Sequence, residues 1–187
     1  MFKKENVSKV VKTTVLVVLG SVGLIFTSCK LDSDSNFTPA IMQGAYFKNH
    51  QGDTLRLKSL NSEIVLDTIR VGDTVSFSFA LNGYVNNLVG FRVNQSADSI
   101  SRIVFPSKLK LDSICTPESD YSKGIFIFKN KITFCNFPFK YVAKKTSMTG
   151  KFSLTLSSDA NFGSTIAASN TVNVDIKTPI KSALILY

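Results

Sequence analysis

Apolar and polar residues alternate along much of this 187-residue chain. In residues 74–81, Val75, Phe77, Phe79 and Leu81 fall on one face and Thr74, Ser76, Ser78 and Ala80 on the other. A period of two predicts a strand buried on one side. Residues 151–157 repeat the pattern with Phe152, Leu154 and Leu156, and residues 171–176 repeat it again. Residues 64–69 and 88–93 alternate less strictly. Two aromatic-rich runs, 126–128 and 134–142, flank Lys129-Asn130-Lys131, which has the composition of a hairpin turn. No helical period of comparable length appears after residue 39.

Many short strands at steady spacing, without helices between them, predict an all-β antiparallel sandwich. Val71-Gly72-Asp73-Thr74-Val75 leads into the clearest strand and Asn82-Gly83 closes it; a Tyr141-bearing strand, a Thr149-Gly150 turn and two alternating strands finish the chain. Over residues 63–177 this order resembles the bacterial immunoglobulin-like and PKD-like modules. The resemblance implies an immunoglobulin-like β-sandwich domain over residues 40–187, with extra strands from residues 41–60. The chain departs from the family in residues 94–131, where a shorter link is usual. A division into two sandwiches near Thr116-Pro117-Glu118 is the alternative.

The chain begins differently. Lys3, Lys4, Lys9 and Lys12 precede an apolar run over residues 13–26, and Thr27 and Ser28 lead into Cys29. A basic start, a short apolar stretch and small residues form the layout of a secretory signal peptide, too short to span a bilayer comfortably. Leu24-Ile25-Phe26-Thr27-Ser28-Cys29 resembles the bacterial lipobox, with Phe26 where Leu is commonest. That resemblance implies cleavage before Cys29 and lipidation of its thiol, with residues 1–28 a lipoprotein signal peptide and residues 29–39 a flexible tether. Lys30-Leu31-Asp32-Ser33-Asp34-Ser35 resembles the surface-export signal of Bacteroidota lipoproteins, with its acids spaced apart. The implied address is the outer membrane, facing the cell surface; the periplasmic face is the alternative. A plain solvated tether has the same composition.

Charge and cysteines narrow the possibilities. The whole chain carries 22 bases and 13 acids. The segment before Cys29 holds four of those lysines and Glu5, so 18 bases face 12 acids in the mature chain, a net of +6. The bases are scattered, whereas nucleic-acid binding needs a clustered basic face, and export removes that partner. Cys115 and Cys135 remain after Cys29 is lipidated. Outside the cytoplasm they suit a disulfide closing a loop of about 20 residues, worth roughly 3 kcal/mol. Two free buried thiols are the other reading.

Little in the chain suits catalysis. His50 is the single histidine, in turn-like Lys48-Asn49-His50-Gln51-Gly52-Asp53, and no nucleophile elbow or phosphate loop accompanies it. Acids and histidine are too dispersed for a metal site. No catalytic residue, metal or cofactor is therefore expected. Phe137, Phe139 and Tyr141 share a strand face: a platform for stacking on sugars, or core filling in a chain with 15 Phe and no Trp. Pro138 belongs on an edge strand or a bulge.

Five of the ten aspartates are followed by Ser or Thr and then an apolar residue, at Thr54, Thr68, Thr74, Ser99 and Ser113. The triplet resembles the O-glycosylation acceptor of exported Bacteroidota proteins, which makes those hydroxyls candidate attachment sites. Turn-to-strand junctions also generate it, since Asp favours turns and β-branched residues favour strands.

The sequence thus points to a non-enzymatic binding or structural module, held to the membrane by a lipid and meeting a surface protein or glycan. The alternatives are an accessory glycan-binding subunit of a glycan-uptake complex and a fimbrial or adhesin subunit. The last would use residues 178–187 as a detachable strand, although that apolar stretch is equally suited to pack as the final strand.

Overall fold

A computed structural model describes residues 36–44, 46–60, 63–95, 97–163 and 168–183. The signal segment, Cys29 and the tether up to Ser35 lie outside the described residues, as do residues 184–187. Among the described residues, no helix is long and apolar enough to cross a membrane.

The described residues form thirteen strands in order: β1 (Ala40–Gln43), β2 (Tyr46–Asn49), β3 (Thr54–Leu60), β4 (Glu63–Leu66), β5 (Ile69–Arg70), β6 (Thr74–Asn82), β7 (Leu88–Gln95), β8 (Ser101–Val104), β9 (Ile125–Ile127), β10 (Phe134–Ala143), β11 (Lys151–Ser158), β12 (Thr171–Lys177) and β13 (Ile180–Lys181). One helical turn, Lys108–Leu111, interrupts them. One layer runs β8-β10-β6, with β1 and β2 both on the far side of β6. The other runs β9-β7-β11-β12-β4. β3 joins the layers, pairing with β2 and then with β4. This is an all-β, sandwich-like fold whose sheet curls at one side through β2, β3 and β4. Both layers draw strands from either side of Thr116-Pro117-Glu118, through β6–β10 and β7–β11. The pairing is antiparallel except where β4 meets β12 and β5 meets β13.

Alternation sets the core. Val75, Phe77, Phe79 and Leu81 of β6 are buried, and β10 sets Tyr141, Phe139, Phe137 and Cys135 beside them in register. Across the gap, Phe152, Leu154 and Leu156 of β11 and Phe91 and Val93 of β7 complete the interior. Rings interlock between layers: Phe137 lies 4.9 Å from Phe91 and 4.5 Å from Phe126, and Phe77 lies 5.2 Å from Phe152. Without tryptophan, phenylalanine supplies the volume that close packing requires.

Two local expectations need correction. Lys129-Asn130-Lys131 is not a hairpin turn: β9 pairs with β7 in one layer and β10 with β6 in the other, so the loop crosses between layers. Both aromatic runs face the same interior, and turn composition carries no record of which sheet each run joins. Residues 64–69 are not one strand either. Asp67 ends β4 by turning to β3, where its carboxylate accepts the Arg56 N–H at 2.9 Å and its own N–H donates to the Arg56 carbonyl.

The Gly-Asp-Thr lead-in has a mechanical basis. Gly72 adopts φ 95°, and the buried Asp73 accepts the Arg70 N–H at 2.9 Å, closing the turn that starts β6. At the other end of the chain, the Tyr141 hydroxyl and Thr178 Oγ1 share a buried hydrogen bond of 2.7 Å. Tyr141→Phe should therefore cost about 1–3 kcal/mol, because Thr178 keeps a buried hydroxyl without its partner. An unchanged urea midpoint would contradict this assignment.

Candidate functional site

β10 is ten residues long, but β8 covers it only from Lys140 to Ala143. The Gly83 N–H donates to the Thr133 carbonyl and the Ala143 N–H to the Asp73 carbonyl. Odd-numbered residues of β10 therefore bond toward β6, and even-numbered ones toward the opposite, partly open side. Pro138 is even-numbered. It lacks an N–H at a place where β8 offers no acceptor, which suits an edge position and blunts strand addition there.

Past Val104 the chain leaves β10 as Phe105-Pro106-Ser107 and enters the helical turn. The divergence opens a groove of about 440 Å³. Its walls are mostly apolar, from Val104, Phe105, Pro106 and Pro138, with Ser76, Lys110 and Lys140 at the polar margin. Register extends this margin, since Lys48 and Lys140 both stand opposite Ser76, from β2 and β10. Among the described residues, Lys48, Lys110 and Lys140 have no carboxylate within ion-pair distance. An apolar trough beside uncompensated ammonium groups can hold a ligand with an anionic group and an apolar or sugar face.

The two strands at the ends of the sheet order, β8 and β9, have bonds on their outer sides. On β8 the Ile103 N–H donates to Gln95 Oε1 at 3.0 Å. On β9 the Ile127 carbonyl accepts the Thr116 N–H at 2.8 Å, and the Ile125 carbonyl accepts that of Asp120 at 2.8 Å. Each sheet end thus spends backbone groups within its own chain, which disfavours pairing with another.

The aromatic face is interior. Phe137, Phe139 and Tyr141 are all buried, so the stacking-platform reading is set aside. Alternation alone showed that they share a face; only the second layer decides that this face is covered.

His50 sits in the exposed β2–β3 turn, its Nδ1 accepting the Thr74 N–H at 3.2 Å and lying 4.0 Å from Asp73. Among the described residues, no group of three or more metal-ligating side chains comes together.

Thr54, Thr68, Ser99 and Ser113 are exposed and Thr74 is half-buried. They lie at the start of β3, between β4 and β5, at the start of β6, before β8 and after the helical turn. In four of the five triplets the aspartate carboxylate has a local partner: Asn49 Nδ2 for Asp53, the Arg56 N–H for Asp67, the Arg70 N–H for Asp73 and Gln95 Nε2 for Asp98. Turn closure thus accounts for the acid at Asp53, Asp73 and Asp98, and a bond to the neighbouring strand for Asp67, while four of the five residues remain exposed.

Cys115 and Cys135 are buried and unbonded. Burial pushes the Cys115 thiol up to about 11, with Ser119 and Lys129 opposing the shift. Burial, with a smaller contribution from charge on Cys115, pushes Cys135 up to about 12. Both thiols hold their protons in the folded state at pH values where the unfolded chain loses them. Stability from these groups is thus complete below about pH 8.5 and is lost as pH rises toward 11–12. In reduced protein, Cys115→Ala/Cys135→Ala should flatten the alkaline decline in unfolding free energy. An alkaline slope identical to wild type would contradict it.

The groove was not foreseen from sequence. Its one sequence trace was Pro138 within an alternating strand; Lys110 and the Phe105-Pro106-Ser107 segment had no pattern linking them to β10. No known protein family's sequence pattern matches this chain, and no curated protein is significantly similar to it in sequence.

Proposed function

We propose that this protein is a non-enzymatic binding module, tethered to the outer membrane through a lipid on Cys29 and facing the cell surface. The observation that carries the binding role is the groove beside Pro138. It combines apolar walls with Lys110 and Lys140, whose charges have no carboxylate partner among the described residues. The ligand that fits this chemistry best is a surface glycan bearing acidic groups. Its carboxylates or sulfates would meet the ammonium groups, and its sugar faces would lie on Phe105 and the prolines.

The same groove suits an accessory glycan-binding subunit of a glycan-uptake complex. A fimbrial role draws less support. It requires a terminal strand that detaches, whereas Ile180 is fully buried and bonded both ways with Ser147, at 2.7 and 2.9 Å.

The test is an array of acidic and neutral glycans probed with wild type and with Lys110→Glu/Lys140→Glu. Acidic glycans should bind and salt should weaken them, with the double variant losing at least about tenfold in affinity, or about 1.4 kcal/mol. Both lysines are exposed, so the variant should unfold like wild type. Binding of acidic glycans with equal affinity by both proteins, or no binding by wild type, would remove the groove from the proposal.

A further inference from the structure

The end of the sandwich where the tether joins is unusually apolar for a solvent-facing loop. Gly83 to Asn86 forms a tight turn closed by the Asn86 N–H donating to the Gly83 carbonyl at 3.0 Å. A Cβ on Gly83 would lie 2.3 Å from the Asn86 carbonyl oxygen, so only glycine fits. Tyr84 follows in the left-handed region at φ 59°, its N–H held by Asn82 Oδ1 at 2.8 Å. That conformation is costly for a tyrosine and sets Tyr84 and Val85 at the apex. Val85 is 62% exposed, and Phe37, Tyr84 and Phe134 are each about half exposed. Phe37 and Tyr84 form a ring pair at 5.4 Å, and Phe134 is in register with Asn82 at the base of the turn.

The chain is pinned to this same end. Asn36 Nδ2 donates to the Asn161 carbonyl at 2.6 Å, and Asn36 Oδ1 accepts from Asn86 Nδ2 at 2.9 Å and from the Asn161 N–H at 3.2 Å. The Phe37 N–H donates to Asn86 Oδ1. The tether from Cys29, the lipidated position, to Ser35 is only seven residues long before this clamp. Fully extended they reach about 25 Å. A ten-residue strand such as β10 is about 33 Å long, so the tether is shorter than the sandwich it carries. Lys131 is exposed in the crossover loop, whose Ile132 and Thr133 carbonyls accept the N–H groups of Leu88 and Gly83. Asp159, at this end, already accepts the Asn87 N–H and Nδ2 at 2.7 Å.

We infer that this tip, formed by Phe37, Tyr84, Val85 and Phe134, docks into the interface of the lipid surface that holds the anchor. The inference rests on the lipid-anchored reading. Apolar side chains with an amphipathic tyrosine and a neighbouring lysine match an interface rather than a protein pocket. Docking fixes the sandwich with its tether end on the membrane and the opposite loops outward.

The experiment uses full-length protein processed in its host and reconstituted in phosphatidylethanolamine–phosphatidylglycerol vesicles with brominated acyl chains. Val85→Cys is labelled with an environment-sensitive fluorophore, and Thr146→Cys, beyond the opposite end of β10, serves as control. Cys115 and Cys135 are buried and protonated at neutral pH, so labelling is selective. The label at residue 85 should shift to the blue and be quenched at a depth of about 5–10 Å, while that at residue 146 stays in water. Mass spectrometry of the amino terminus is read on the same sample. An acylated Cys29 with both labels in water would overturn tip docking and leave the anchor standing. An unacylated chain that does not stay with the vesicles would overturn the anchor and the docking with it.

Discussion

Phe139→Ala is expected to lower the unfolding free energy by about 3–5 kcal/mol. Phe139 is buried, and its ring lies 5.4 Å from Phe77, 5.6 Å from Phe79 and 5.6 Å from Phe152. It therefore ties β10 to β6 within one layer and to β11 across the gap. Removing it deletes apolar burial and leaves a cavity bounded by rigid rings that collapse poorly. For a domain of this size, each kcal/mol corresponds to about 2–4 °C in Tm, so a fall on the order of 10 °C should appear. Phe134→Ala on the same strand is the internal control. Phe134 is half exposed, and its loss should change stability by no more than about 0.5 kcal/mol. Equal effects from the two substitutions would mean that β10 does not present its odd-numbered side chains to the interior.

Cys29→Ala is expected to abolish stable membrane retention if the proposed lipid anchor holds. The apolar run over residues 13–26 is short for a durable span, so the proposal assigns the anchor to acyl chains on the cysteine. Two or three chains hold a protein that one chain would release. Wild type should stay in the membrane fraction through high-salt washing, with acyl mass on an amino-terminal Cys29. The variant should appear as unprocessed precursor or as soluble protein. A wild-type amino terminus beyond residue 29 without acyl mass would refute the anchor, and the binding groove would then belong to a secreted protein.

The interior was the most legible part of the chain. Val75, Phe77, Phe79 and Leu81, with Phe152, Leu154 and Leu156, were readable as buried because a strand places alternate side chains on opposite faces. The lead-in at Asp73 was readable for a similarly local reason: a turn needs a glycine conformation and a carboxylate, both supplied within four residues. The loop at Lys129-Asn130-Lys131 misled, because hairpin and crossover loops use the same residues. What separates them is the partner each flanking strand finds, β7 for one and β6 for the other.

Sequence by itself determined the most strictly alternating strands, the buried face of each and the separate character of the segment before Cys29. Those depend on local periodicity and composition, which act over a few residues. Tertiary structure decided the rest. It covered the Phe137, Phe139 and Tyr141 face with a second layer, turning an ambiguous aromatic stripe into core. It brought Lys110 beside Pro138 and Lys140, residues about 30 positions apart, because β8 pairs with only part of β10. It also placed Tyr84 and Val85 at the end where the tether is clamped to Asn86 and Asn161. Such sites arise from where strands stop pairing and where loops converge. Those outcomes are set by long-range packing, which no local pattern along the chain records.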